Sequence, residues 1–161
     1  MPERPYNGPG LAGHHQPPPG PLDRERRLEA IGLADEPTLT AIADELLQSA
    51  GVQISRGPTV GLLMVRAEEP SVRHAFNFAE VTVSEAEVIV EGHRGYAMVL
   101  GRAPAKALAG AIIDGALEAG TPGTEGIEGV LNAALDREAS RLAAEWARVA
   151  PTTVTFEEMA P

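Results

Sequence analysis

Four arginines, Arg66, Arg73, Arg94 and Arg102, and one carboxylate in an otherwise apolar segment, Asp114, are the side chains with which this 161-residue sequence could do chemistry. A guanidinium holds phosphate or carboxylate through two parallel hydrogen bonds, so arginines gathered in one region suggest an anion site. Neighbouring Glu68, Glu69, Glu80 and Glu91 offer the plainer reading, in which each arginine simply pairs with a carboxylate. Asp114 could serve as an acid or base if buried, or be a helix-edge residue reaching solvent or an arginine. Outside the first 22 residues, histidine occurs only at His74 and His93. His74 falls in a β-rich stretch, where a structural role is expected, and His93 falls in a turn, a wet position for a general base. No GxSxG, HExxH, Walker or EF-hand pattern is present. The formal GxGxxG at residues 8–13 contains Pro9 and has neither a strand before it nor a helix after it, so it carries no nucleotide reading. His14-His15 reads as a solvated linker pair. The glycines at residues 120–126 could cradle phosphate at a helix start, but Glu125 and Glu128 would repel it. The residues therefore predict no catalytic group, no metal site and no cofactor in this chain.

Composition bounds the partners. The net charge of −10 disfavours nucleic acid. No apolar run is long enough to span a membrane and no signal peptide is recognisable, so a cytoplasmic protein is expected. The absence of cysteine removes disulfides, thiolate zinc sites and thiol nucleophiles. Residues 1–22 hold seven prolines and four glycines and read as a disordered tail, leaving residues 23–161 as one domain.

The elements that must position these groups follow from hydrophobic period. A charged helix is expected from Asp23 to about Leu33, and a second after Asp35 as N-cap with Pro37 in the first turn. The pattern then turns to β: Val60 to Ala67, Phe76 and Phe78, Val81 to Val90, a turn at residues 91–95, and Tyr96 to Leu100. Short connections make the sheet antiparallel. Pro104 opens a helix to about Ala119 that is apolar on two sides, so the sheet can cover one side and a C-terminal helix or a partner subunit the other. The last helix is expected from about Asp136, with a stripe of Leu135, Ala139, Leu142, Ala143, Trp146 and Val149. Val154 and Phe156 alternate as a closing strand. The fold class is α+β, a small antiparallel sheet packed with helices.

Read in order, GLLMVRA from Gly61, then FNFAEVTVSEAEVIVEGHRGYAMVLGR, the alanine-rich helix with Asp114, a charged helix and a terminal VTFEEM resemble the PhnG family of the carbon–phosphorus lyase system. Met64 and Arg66, then Phe76, Asn77 and Glu80, then Thr82 and Val83 carry the first part of the resemblance. Gly95, Leu100, Gly101 and Arg102, then Asp114, then Val154 and Phe156 carry the rest. It spans roughly residues 25–160. Departures are Glu68-Glu69-Pro70-Ser71 where the family has a glycine-rich stretch, Lys106 where a histidine is common, Gly115 after the aspartate, and no tryptophan near Leu28 or Ile31. The resemblance implies an accessory, non-catalytic subunit of a complex that transfers methylphosphonate onto the ribose of ATP with release of adenine. It implies PhnI-, PhnH- and PhnJ-like partners, with catalysis in the PhnI-like one, and anion or interface contacts at Arg66, Asn77, Glu80, Arg102 and Asp114. Two other readings stay open: a free-standing phosphate or phosphonate binder or enzyme using Arg66, Arg102 and Asp114, and an unrelated α+β adaptor.

Overall fold

A computed structural model describes residues 22–69 and 71–152. The proline-rich tail up to residue 21 and the expected strand at Val154 and Phe156 lie outside the described residues. The order is α1 (Arg24–Leu33), α2 (Glu36–Ser49), β1 (Val52–Glu68), β2 (Ala75–Val90), β3 (His93–Leu100), α3 (Pro104–Ala119) and α4 (Ile127–Val149), followed by a short 3₁₀ turn. The sheet is antiparallel with strand order β1-β2-β3.

The helix starts follow from their caps. Asp23 accepts the backbone N–H of Arg26 at 2.9 Å and Asp35 that of Thr38 at 3.0 Å, each satisfying an orphan donor of the first turn. Pro104 sits in the first turn of α3, and Gly120 closes that helix in the left-handed conformation at φ 62°.

The strands are longer than their sequence signals. β2 runs unbroken through the two segments that read separately, Phe76 with Phe78 and Val81 to Val90, and β1 pairs with it from Val52↔Val90 to Glu68↔Ala75. The expected five-residue turn shrinks to Glu91-Gly92, at φ 47° and 83°. Positive φ at both central residues matches the twist of a two-residue hairpin, so His93, Arg94 and Gly95 can join β3.

One face of the sheet supplies the core. Ser84, Ala86, Val88 and Val90 of β2 and Gly95, Ala97 and Val99 of β3 are buried on the side that meets α3. The far side of α3 is covered by α2 and α1, not by the C-terminal helix expected there. α4 instead starts at Ile127, well before Asp136, and packs Ile127, Leu131, Ala134 and Leu135 into the core beside α1. The predicted α4 stripe has the right period but is buried only at its start: Leu142, Trp146 and Val149 are exposed.

α3 lies against β3 at backbone distance. A Cβ on Gly95 would stand 2.1 Å from the Ala111 carbonyl oxygen and 2.6 Å from the Gly115 nitrogen, with no flexible side chain to give way. A Cβ on Gly115 would meet Val90 Cγ2 at 2.7 Å. Gly95→Ala should therefore cost stability at the upper end of the overpacking range, about 3 kcal/mol, by forcing helix from strand. Urea denaturation read by circular dichroism checks this, with Gly129→Ala, where the site is open, as the control.

Candidate functional site

Asp114 is fully buried in the middle of α3, and three elements converge on it. Arg24 of α1 donates from Nη2 to Oδ2 at 2.7 Å, and the backbone N–H of Tyr96 in β3 donates to the same oxygen at 3.0 Å. Arg27, itself buried, brings Nε to 2.9 Å from Oδ1, an ion contact out of hydrogen-bond alignment. Arg27 also donates from Nη2 to Glu118, one helical turn beyond Asp114, while Arg24 reaches the Arg94 carbonyl at 3.2 Å. The cluster thus holds two arginines and two carboxylates and is neutral in sum. Asp114 pairs the arginines of α1, and its oxygens are committed to them and to the backbone. That is a structural clamp. Oδ2 accepts two hydrogen bonds and Oδ1 lies against Arg27, so both oxygens are buried within the clamp.

The sequence holds a signal for this clamp. Arg24 and Arg27 are three apart on α1, and Asp114 and Glu118 four apart on α3, the spacings that place side chains on one helical face. Two like-charged pairs on different helices are complementary only once the helices are known to touch, which no local pattern states.

The remaining sequence-predicted residues lie elsewhere, at the far end of the sheet. Arg66 stands opposite Asn77 and Met64 opposite Glu80 in the β1–β2 ladder. Arg102 occupies the bend after β3, which Ser84 fixes: its buried hydroxyl donates to the Gly101 carbonyl at 2.8 Å and accepts the Ala103 N–H at 2.8 Å. Asp114 sits ten residues into α3, ~15 Å along the helix from that bend, and belongs to the other end of the domain. Two of the arginines pair with a carboxylate, Arg73 with one of the four named above and Arg94 with one outside that set. Arg94 pairs with Glu87 at 2.5 Å and Arg73 with Glu68 at 3.6 Å. Among the described residues, Arg66 and Arg102 form no ion pair.

Two places where backbone amides could receive an anion are filled by the chain's own carboxylates. Between β1 and β2, Glu69 accepts the N–H groups of Ser71 and Val72 at 3.0 and 2.7 Å, which hold its carboxyl below the usual range. Before α4, Glu125 accepts the Gly123 N–H at 2.9 Å. His74 and His93 are exposed, His93 as the first residue of β3 rather than in a turn. Among the described residues no group of three or more His, Asp or Glu side chains could hold a metal ion.

What the distal part of the sheet does present is apolar surface. β3 ends opposite Val83, so residues 61–68 and 75–82 project as a two-stranded arm. Leu62 and Phe78 are 67% and 69% exposed, and Leu63, Met64 and Phe76 are exposed beside them. Leu62 and Leu63 are consecutive and point to opposite faces, so the arm is apolar on both. A two-stranded hairpin is marginal in water alone. Leu142, Trp146 and Val149 on α4 form a second uncovered stripe.

The clamp generates two expectations. Asp114→Ala leaves Arg27 charged and buried and should cost about 3–5 kcal/mol, whereas Asp114→Leu combined with Arg27→Met should recover much of that loss. Urea titrations of the two variants check it. The Arg27 hydrogen bond holds the Glu118 carboxyl below its ordinary value, against a smaller upward push from burial. The unfolded chain then binds the proton first. The stabilisation is full above the unfolded pKa of about 4.3 and is lost as pH falls through the lower folded value. Glu118→Gln should flatten the fall in melting temperature below about pH 4.3 that the parent shows.

Residues 22–160 match the family described as "Phosphonate metabolism protein PhnG". The chain is also similar to a protein of Rhizobium meliloti (strain 1021) named alpha-D-ribose 1-methylphosphonate 5-triphosphate synthase subunit PhnG. The two are 31% identical over 143 residues, covering 87% of this chain and 90% of that protein. The matched span takes in the whole described sheet and all four helices, from the clamp to the apolar arm, and the chain belongs to the PhnG family of phosphonate metabolism proteins.

Proposed function

We propose that this chain is an accessory, non-catalytic subunit of the assembly that joins methylphosphonate to the ribose of ATP and releases adenine, in the catabolism of organic phosphonates. The observation that carries the reading is the projecting arm, apolar on both faces, in a chain whose buried carboxylate is fully engaged in holding helices together. Such an arm is costly to expose and gains stability when a neighbour covers it. The R. meliloti relative is itself named a subunit. Partners are the PhnI-, PhnH- and PhnJ-like subunits, with the glycosyl-transfer chemistry in the PhnI-like one, and this chain brings no cofactor. The compartment is the cytoplasm; no helix among the described residues is long and apolar enough to cross a membrane.

A free-standing anion binder would need Arg66, Arg102 and Asp114 to act together. The engagement of Asp114 by Arg24, Arg27 and the Tyr96 amide argues against it.

The isolated chain should show no turnover of ATP or methylphosphonate and no thermal stabilisation by either. Co-expressed with the PhnI-, PhnH- and PhnJ-like subunits, it should elute with them as one species. Phe78→Asp, which charges the arm, should reduce that co-elution at least about tenfold while leaving the melting temperature of the isolated chain unchanged. Turnover by the chain alone, or full co-elution of the variant, would count against the reading.

A further inference from the structure

β2 is longer than the strand beside it. β3 pairs with it only from Val83↔Leu100 to Val90↔His93, so residues 75–82 have β1 on one side and no described strand on the other. The inner end of this slot is closed by the Gly101 N–H, which donates to the Thr82 carbonyl at 2.7 Å. That bond shows which way the ladder points. The Thr82 carbonyl faces the slot, and the alternation of an antiparallel strand aims the N–H and C=O of Glu80 the same way. Pairing to β1 is regular from Thr82 to Ala79, so the alternation holds there.

Three of the sequence-predicted residues border the slot. Arg102 follows Gly101 at its inner end. Asn77 lies towards its outer end, ~16 Å away along the strand, and Glu80 sits between, while Arg66 stands across from Asn77 on the β1 side. Both arginines are exposed and lack a carboxylate partner among the described residues, in a chain whose net charge is −10. Phe76, Phe78 and Leu100 supply uncovered apolar side chains along the same edge.

We infer that this slot receives an extended strand from a different polypeptide of the assembly, with alternating apolar side chains and a carboxylate near the end that meets Arg102. The inference rests on the subunit reading above and states how the subunit is held. An unpaired edge templates a strand, and main-chain hydrogen bonds then supply affinity while alternate side chains supply selectivity. The unpaired Arg102 guanidinium at the inner end selects a carboxylate at that position. A second copy of this chain would bring another body of charge −10 against the first, which opposes self-association.

Proline gives a clean test, because it removes one N–H and is tolerated on an open edge. Glu80→Pro and Glu80→Ala should give isolated chains with matching circular dichroism and melting temperature. In titrations against the co-purified PhnI-, PhnH- and PhnJ-like subunits, Glu80→Pro should bind about tenfold more weakly or worse, and Glu80→Ala close to the parent. Arg102→Glu should also weaken binding by about tenfold, an effect that shrinks as salt rises. The Thr82 and Glu80 amides should become protected from hydrogen exchange in the complex. Full-affinity assembly of Glu80→Pro with those amides still exchanging freely would overturn the slot and leave the subunit reading intact. Protection appearing in the isolated chain together with a dimer would assign the strand to a second copy and overturn the inference. No complex with the parent chain would overturn both.

Discussion

A single buried carboxylate holds the helical layer to the sheet. Asp114 bonds to the Arg24 side chain and the Tyr96 backbone and lies in ion contact with Arg27, so α1, β3 and α3 meet at one side chain. It can reach the β3 backbone only because Gly95 and Gly115 let strand and helix approach without side chains between them. The two features are one device: close approach creates a dry site, and the dry site requires that the charge inside it be matched. Arg27 supplies the match from α1 and is in turn steadied by Glu118. Removing Asp114 or Arg27 strands the other in the core, which makes the pair sensitive to single changes even where its net contribution to stability is small.

That clamp also separates the molecule into a part that is complete and a part that is not. The helices and the proximal sheet bury a continuous core of small and branched side chains from Ala30 to Leu135. Beyond Val83 the sheet thins to two strands, and apolar side chains face outward on both surfaces. The same holds for α4, whose first turns dock on the core while Leu142, Trp146 and Val149 continue the stripe into solvent. Exposed apolar residues singly mean little; contiguous ones on projecting elements mark surfaces meant to be covered.

Charge is distributed to suit this division. From Gly61 through Thr82, Arg66 and Arg73 stand against Glu68, Glu69 and Glu80, so the arm carries only one unit of the net −10. The stretch from Asp136 to Val149 is balanced, Arg137, Arg141 and Arg148 against Asp136, Glu138 and Glu145. The acidic excess lies on the remaining surfaces. A nearly neutral, apolar arm loses little hydration energy when buried, while the acidic remainder opposes self-association.

Much of this was legible along the chain. Asp23 and Asp35 as caps, Pro104 and Gly120 as helix limits, and the shift to period two announced the elements, because caps and periodicity are local physics. The sequence also named Arg66, Asn77, Glu80, Arg102 and Asp114 as candidates, without indicating that Asp114 and the other four stand at opposite ends of the fold. Strand lengths escaped it, since β1 and β2 continue through exposed positions where neither face is sorted by burial. So did the cover of α3, because an apolar helix face states that something packs there and not which helix does. Only the tertiary structure decided that Asp114 meets Arg24 and Arg27, contacts spanning 90 and 87 residues of chain. Only it decided that β3 stops short of β2, leaving an open edge. Long-range pairing depends on which surfaces the whole chain can bring together, and local residue patterns hold no record of that.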